Sequence, residues 1–169
     1  MANVDFPRGF IPIDGCMRTH NYPIASNNSQ IGLYDLVERR SDGLIHPAQA
    51  SSTTIIGSAA EAKAANAGGT LAVYDDPNLI FEAQMDEAEA DAQTDFDLNY
   101  NIVATTPNTT TGQSQMEIDS STQAATATLP IKILRLRDVQ TAAGNALGAN
   151  AVFECIINNH VLKSTGVNG

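Results

Sequence analysis

The densest group of side chains that could do chemistry is a run of carboxylates in the middle of the chain. Acidic residues recur through positions 86–91 and again at 95 and 97. Calcium takes several oxygen ligands, and dedicated loops hold these at fixed spacing around a glycine at the sharp bend. No glycine occurs within residues 86–97. We therefore expect a solvated acidic loop or short helix here, with an ion site as the alternative.

Histidines and cysteines are the next candidates, because they are the usual ligands of zinc. His20, His46 and His160 stand far apart, and the sequence has no HxxxH, HExxH or CxxC pattern. Three or four such ligands must converge to hold zinc, and Cys16 and Cys155 could join His20 only through tertiary structure. We expect no metal site. The two cysteines are expected to be reduced thiols, with a disulfide between the N-terminal segment and the last strand as the alternative.

Hydrolytic chemistry would need a pair of carboxylates or an activated nucleophile. Asp75 and Asp76 could serve as acid and base, but Asp-Asp-Pro-Asn at 75–78 is first of all typical of a turn. The GxSxG, Walker and GxGxxG patterns are all missing. The sequence therefore predicts a protein that is not an enzyme and that uses no cofactor. A hydrolase acting through the acidic cluster is the weakest alternative.

The net charge restricts the partners further. The chain carries a formal charge of −10 and has a pI of about 4.4. Phosphate backbones and anionic lipid surfaces repel such a chain, so we expect neither nucleic-acid nor membrane binding. No lysine or arginine lies between Lys63 and Lys132, which predicts one strongly negative face or loop. No basic segment precedes an apolar one at the N-terminus, and no apolar run approaches ~20 residues. We expect a soluble protein made in the cytoplasm.

The elements that must position these residues are short strands separated by turns. Strands are predicted at 31–39, 44–47, 53–57, 70–74, 79–86, 126–137 and 151–157, with a helical turn or two at 58–67. Asp42-Gly43 predicts a hairpin turn between the first two strands. Because no strand–helix alternation occurs, the fold class is mainly β: a small β-barrel or sandwich with an extended N-terminal arm and long polar loops.

Two of these strands allow more detailed predictions. Residues 79–86 place alternate apolar side chains on one face, and residues 151–157 do the same: Leu79, Phe81, Ala83, Met85, then Ala151, Phe153, Cys155, Ile157. In residues 126–137 the alternation changes phase after Ile133. A one-residue phase change predicts a β-bulge or a change of environment at that point.

The first thirty residues differ from the rest. Pro7, Pro12 and Pro23 disfavour helix and push the preceding residues toward extended backbone. We therefore divide the chain into an N-terminal arm, residues 1–30, and a single β-rich domain, residues 31–169. The alternative is that the arm is a packing strand of the same barrel.

Several short segments, taken in order, resemble one family of virion proteins. They are Met-Ala-Asn-Val at 1–4, Arg-Gly-Phe-Ile-Pro at 8–12, Ile-Ile-Gly at 55–57, Asp-Asp-Pro-Asn-Leu-Ile-Phe-Glu-Ala-Gln at 75–84, Leu-Pro-Ile-Lys-Ile-Leu at 129–134 and Ile-Asn-Asn-His at 157–160. Over nearly the whole chain the sequence is similar to capsid decoration (cement) proteins of tailed bacteriophages, which are encoded near the major capsid protein. The acidic segment at 86–97 is longer than the family pattern.

This resemblance implies a structural protein on the outer surface of the virion capsid. Its partners would be the major capsid protein and further copies of itself, as trimers or dimers at local symmetry axes, and it would stabilise the shell across neighbouring capsomers. We expect the arm to hold the capsid, through Phe6, Arg8, Phe10, Ile11, Ile13, Arg18 and Tyr22. The alternative is a tail or head-fibre module that binds host surface glycans, although the chain has no Trp and only four Tyr for stacking on sugars.

Overall fold

A computed structural model describes residues 3–86, 93–138 and 144–163. Within these residues the regular elements are strands, apart from one 3₁₀ turn at Gln93–Asp95. The strands are β1 Ile11–Asp14, β2 Thr19–Ile24, β3 Leu36–Arg39, β4 Ile45–Pro47, β5 Ile55–Ala59, β6 Gly69–Tyr74, β7 Ile80–Gln84, β8 Asn99–Val103, β9 Glu117–Ala124, β10 Ile131–Leu136 and β11 Val152–Ile157. The predicted fold class, mainly β with a small barrel, is confirmed.

The strands form two assemblies. A six-stranded antiparallel sheet has the order β1-β7-β11-β10-β8-β9, and the remaining five strands close a barrel in the order β2-β4-β3-β5-β6. Every pairing in the barrel is antiparallel except that of β2 with β4, which is parallel. Closure removes the exposed strand edges of the barrel. The sheet ends in β1 on one side and in β9 on the other, where an isolated parallel bridge joins Ile118 of β9 to Met85 after β7.

Each assembly has its own core, and the barrel strands contribute to both. Leu36 and Ile55 belong to the larger core against the sheet, while their neighbours Val37 and Ile56 belong to the barrel core. Successive side chains of a strand point to opposite faces. Strands β3 and β5 therefore lie between the two cores and carry apolar side chains on both faces.

Several predicted strands are confirmed in detail. The 36–47 hairpin turns at Asp42-Gly43, where Gly43 N donates to Arg40 O at 2.9 Å. The alternate apolar residues of β7 and β11 are all buried. The register of β10 against β11 shifts between Ile133 and Arg135, which is the bulge that the phase change predicts.

Other predicted bounds are wrong. Residues 58–67 contain no helical turn, because Ser58 and Ala59 continue β5 and Lys63 forms an isolated bridge with Ile31. Regular strand at 31–39 is confined to β3, and the strand predicted from 126 begins only at Ile131. Strands β8 and β9 have no counterpart in the sequence-based prediction.

The described part of the N-terminal arm contributes one strand to each assembly. Strand β1 pairs with β7 in the sheet, and β2 pairs with β6 and β4 in the barrel. Phe10, directly before β1, belongs to the core. Its N–H donates to Tyr34 O at 2.9 Å, and its carbonyl accepts from Ser58 Oγ at 2.8 Å. Gly9 precedes it with φ +76° and lies against Ser114, so a side chain there would collide with the fold.

The two cysteines are not bonded to each other. Cys16 is exposed and Cys155 is buried in the sheet core. The disulfide alternative is therefore wrong, and the reduced thiols are as expected. Burial, together with the charge of Glu154, raises the pKa of the Cys155 thiol far above its usual range, so this thiol is a packing group.

Candidate functional site

The seven arm residues proposed to bind a capsid fall into four different environments. Phe6 and Arg8 are exposed, and Ile11 and Ile13 are half-buried on β1. Phe10 has no exposed surface and belongs to the core. It is unavailable to a partner, so its prediction as a binding residue is wrong. Arg18 and Tyr22 lie on the barrel side, around Asp75.

The backbone before β1 is fixed, although its apolar side chains face solvent. Gln84 Nε2 donates to Val4 O at 2.7 Å, and Phe6 N donates to Gln84 Oε1 at 2.9 Å. Asn3 Nδ2 donates to two backbone carbonyls within residues 146–149 at 2.8 Å each. Val4 nevertheless keeps 72% and Phe6 66% of its surface exposed. A backbone anchored by amide side chains thus presents two large apolar groups outward.

Strand β1 extends this surface along the rim of the sheet. Its register places Ile11 opposite Glu82 and Pro12 opposite Phe81, and an irregularity follows before Asp14. Its other side pairs with no described strand. Such an edge leaves backbone groups available to a further strand. We call Val4, Phe6, Arg8 and strand β1 together the N-terminal edge.

A row of alternating charges crosses the sheet next to this edge. Arg8 bonds Glu82 at 3.1 Å, Arg137 bonds Glu82 at 3.3 Å and Glu154 at 3.1 Å, and Arg135 bonds Glu154 at 2.6 Å. The hydrogen bond to Glu154, followed by that to Glu82, raises the pKa of Arg137. Three cations and two carboxylates leave this row with one net positive charge in a protein of charge −10. We call it the arginine–glutamate row.

A second cluster forms around Asp75 on the barrel. The Asp75 carboxylate is buried and accepts from Tyr22 Oη at 2.5 Å, contacts His20 Nδ1 at 2.9 Å and pairs with Arg18 Nε at 3.4 Å. Burial alone would raise the pKa of Asp75, but the hydrogen bonds from Tyr22 and His20 and the charge on Arg18 bring it below its usual value. Burial and the bond to Asp75 raise the pKa of Tyr22 to about 12. The cluster ties β2 to the end of β6.

The residues considered for hydrolysis and metal binding make contacts within the fold instead. Asp76 Oδ1 accepts from Asn78 N at 2.8 Å, as in the predicted turn. His160 is buried, and burial followed by the charge on Lys163 lowers its pKa to about 4. Among residues 3–86, 93–138 and 144–163, no three metal-ligating side chains converge. The acidic stretch at 87–92 lies outside the described residues.

Sequence reasoning missed the anchors Asn3 and Gln84 and the pairing of Arg135 and Arg137 with Glu82 and Glu154. The one signal for this pairing in the sequence is the Arg-Leu-Arg spacing at 135–137. It indicates that both arginines lie on one face only when the position of the β10 bulge is known.

Comparisons with protein-family models, curated proteins and solved structures find no match for this chain. None of the described residues belongs to a helix long and apolar enough to cross a lipid bilayer.

Proposed function

We propose that this protein is a non-enzymatic decoration protein of a tailed bacteriophage capsid. It binds the major capsid protein on the outer surface of the shell and stabilises neighbouring capsomers, as trimers or dimers at local symmetry axes. The observation that carries the proposal is the N-terminal edge, where two exposed apolar side chains stand on an anchored backbone beside an unpaired strand. The family resemblance supports the choice of partner.

The first support is the exposed apolar surface. Full burial of a large apolar side chain contributes about 1.5–3 kcal/mol of free energy. Val4 and Phe6 are mostly exposed, so most of this contribution would be made on binding a partner. Because Gln84 already fixes the backbone on both sides of Asp5, little conformational freedom remains to be lost on binding. The segment is therefore preorganised to fill a pocket on another protein.

The second support is the open side of β1. A neighbouring extended segment can add to such an edge through main-chain hydrogen bonds, with side-chain pockets providing specificity. Arg8 lies between Phe6 and β1 and bonds Glu82 while remaining about half exposed. It would direct a capsid segment that carries acidic residues beside its apolar ones.

Repetition makes modest contacts sufficient. A decoration protein that binds only the assembled shell shifts the equilibrium toward that shell by mass action. When an oligomer engages several equivalent sites, each further contact becomes intramolecular and avidity rises without new contacts. Two exposed apolar side chains beside an edge strand are therefore sufficient for a protein that binds at many equivalent sites of the shell.

The test is co-sedimentation of the purified protein with heads of the parent phage assembled without it. We expect saturable binding at a fixed ratio to the major capsid protein and greater resistance of the heads to heating. The double variant Val4→Ser, Phe6→Ser should lose binding. Leu162→Ser is the matched control, because Leu162 is an exposed apolar side chain outside the N-terminal edge.

Two results would contradict the proposal in different ways. Absence of binding by the intact protein at matched ionic strength would remove the capsid as partner and favour the tail or head-fibre alternative. Normal binding by the double variant would keep the capsid as partner but move the contact away from the N-terminal edge. Sedimentation velocity of the free protein tests the dimer or trimer separately.

A further inference from the structure

The strand registers show how the arginine–glutamate row is built on the outer face of the sheet. Glu82 on β7 stands opposite Glu154 on β11. Ile11 on β1 stands opposite Glu82, and Arg135 on β10 stands opposite Glu154. Phe81, next to Glu82 on the same strand, points into the core, and successive side chains of a strand point to opposite faces. The four positions therefore form one outward-facing line across four strands, roughly 14 Å long at about 4.8 Å per strand spacing.

Two glutamates stand opposite each other in this line, and Arg137 compensates their charges. Its Nε donates to Glu82 at 3.3 Å and its Nη1 donates to Glu154 at 3.1 Å. Like charges directly opposite each other destabilise a sheet, so this bridging guanidinium has a structural role. Arg8 and Arg135 contact one glutamate each, from the two ends of the row, at 3.1 Å and 2.6 Å. The bridge between the glutamates does not require these two outer arginines.

The outer guanidiniums face solvent, whereas the glutamates are mostly covered. The side chains of Arg8 and Arg135 are 49% and 68% exposed, against 15% for Glu82 and 7% for Glu154. A guanidinium has five N–H donors in a fixed fork, and a single carboxylate engages two of them at most. A partner that approaches this face therefore meets positive charge and exposed N–H donors, with the negative charge lying beneath them.

Apolar side chains adjoin this positive surface. Phe6, Ile11 and Val152 line one shallow depression together with Arg8 and Glu82. Aromatic side chains and arginine are enriched in protein–protein interfaces, and arginine is the preferred residue for interface ion pairs with carboxylates. In a protein of charge −10, a local excess of positive charge beside exposed apolar groups fits a partner segment that is itself acidic.

We propose that an acidic segment of the major capsid protein lies across this face, with carboxylates on Arg8 and Arg135 and an apolar side chain in the depression beside Phe6. The inference rests on the proposed function, and it extends the contact from the N-terminal edge across the sheet to β10. The capsid protein is the source of the segment because the face adjoins Val4 and Phe6, the side chains proposed to bind it. One continuous segment can therefore contact both surfaces.

The experiment measures binding to heads of the parent phage assembled without this protein, by co-sedimentation at about 50 mM and about 300 mM NaCl. Arg8→Gln and Arg135→Gln each remove one outer guanidinium and leave Arg137 to compensate both glutamates. We expect each to weaken binding at least about threefold at the lower salt concentration, and the double variant about tenfold. Because the contact is ionic, the double variant should also lose most of the salt dependence of the unmodified protein.

Arg40→Gln is the matched control. Arg40 is 48% exposed and bonds Glu38 at 3.1 Å, nearly the exposure and distance of Arg8 with Glu82, but it follows β3 in the barrel. It should bind heads with the affinity and salt dependence of the unmodified protein. Equal urea midpoints of all the variants would show that differences in binding do not arise from differences in folding.

The outcomes separate this inference from the proposed function. Unchanged affinity and salt dependence in the double arginine variant, while Val4→Ser, Phe6→Ser still loses binding, would overturn the inference alone. An equal loss in Arg40→Gln would show a general effect of charge and would overturn it as well. If the double arginine variant binds heads normally but loses self-association in sedimentation velocity, the face contacts a second copy and the capsid segment is excluded. No binding by the intact protein would overturn both proposals.

Discussion

Strands β1 and β2 are neighbours in the N-terminal arm, yet they are placed in opposite ways. Strand β2 pairs with β6 along its whole length and also with β4, so it closes the barrel. Strand β1 pairs with β7 alone and leaves its other side open. One proline-rich segment thus supplies both a strand that completes a core and a strand that a partner can reach. Interior substitutions and edge substitutions should therefore have separable effects.

The largest effect is expected from Gly57→Ala, which opens the barrel. Gly57 has φ +151° on β5, and a Cβ there would overlap the carbonyl oxygen of Tyr74 on β6. The added methyl group meets backbone, which cannot give way without separating the two strands. We expect a loss of roughly 4–5 kcal/mol or more in the free energy of unfolding, measured by urea denaturation.

Gly43→Ala is the matched control, at a glycine of positive φ in an open turn. Gly43 has φ +80° and nothing within 4 Å of a built Cβ, so only backbone strain remains and the cost should be about 1 kcal/mol. Equal losses in the two variants would show that barrel closure does not depend on the close approach of β5 to β6.

The next largest effect tests whether barrel and sheet unfold together. Phe153 is fully buried in the sheet core and meets Phe96 edge-on, with ring centroids 6.3 Å apart. Phe153→Ala should cost about 3–5 kcal/mol, and Leu71→Ala in the barrel core about 2–5 kcal/mol. Because Leu36 and Ile55 join the barrel strands to the sheet core, each variant should shift one common transition.

Amide hydrogen exchange in urea measures the unfolding of the barrel and of the sheet separately, from the backbone amides of each. If Leu71→Ala lowers the protection of β6 while β11 keeps its original protection, the barrel unfolds on its own and the shared strands do not couple the cores.

The sequence predicts the strands that carry several large apolar side chains on one face and misses those that carry few. Alternation identified β7 and β11, and a phase change located the β10 bulge. Strand β8 has only Tyr100 and Ile102 on its buried face, and β9 buries Ile118 and Ser120, so both resemble polar loops in the sequence. The helical turn at 58–67 was predicted from local alanine content, which pairing with Ile31 and β6 overrides.

Predicting the binding surface from sequence was harder, because burial in the arm follows no period. Phe6 and Phe10 both belong to a proline-containing extended segment, yet one is exposed and the other is fully buried. The difference arises from Gly9, which turns the chain toward Tyr34 and Ser114. Partners 74 and 78 positions away in sequence decide such contacts, as with Arg8 to Glu82 and Phe6 to Gln84, and no local pattern encodes them.

A smaller effect, dependent on pH, is expected from Asp35→Asn, at the buried position directly before β3. Burial raises the pKa of Asp35 to about 6, against weaker opposing effects of Ser114 and Gly32. Between pH 4 and 6 the folded protein holds a proton that the unfolded chain has released, so stability falls as pH rises through this window. By linkage the loss above pH 6 amounts to about 3 kcal/mol. The amide introduced by Asp35→Asn keeps an acceptor for Gly32 N and has no proton to lose.

Urea unfolding of both proteins at intervals from pH 4 to pH 7 isolates this contribution, since all other titrating groups are shared. The stability of Asp35→Asn relative to the unmodified protein should increase through pH 4–6 and then level off. Parallel profiles would mean that Asp35 remains charged throughout and that its carboxyl is better hydrated than its burial indicates.

The smallest effect on stability is expected at Phe6, and it separates the edge from the interior most sharply. Phe6→Ser removes a ring that keeps 66% of its surface exposed, and the backbone bond from its N–H to Gln84 is retained by serine. The free energy of unfolding should change by no more than about 0.5 kcal/mol. Phe10→Ala, four residues later, removes a fully buried ring and should cost about 3–5 kcal/mol. A large loss in Phe6→Ser would mean that its ring is needed by this chain itself, and the N-terminal edge would then have no apolar side chain of this size left for a partner.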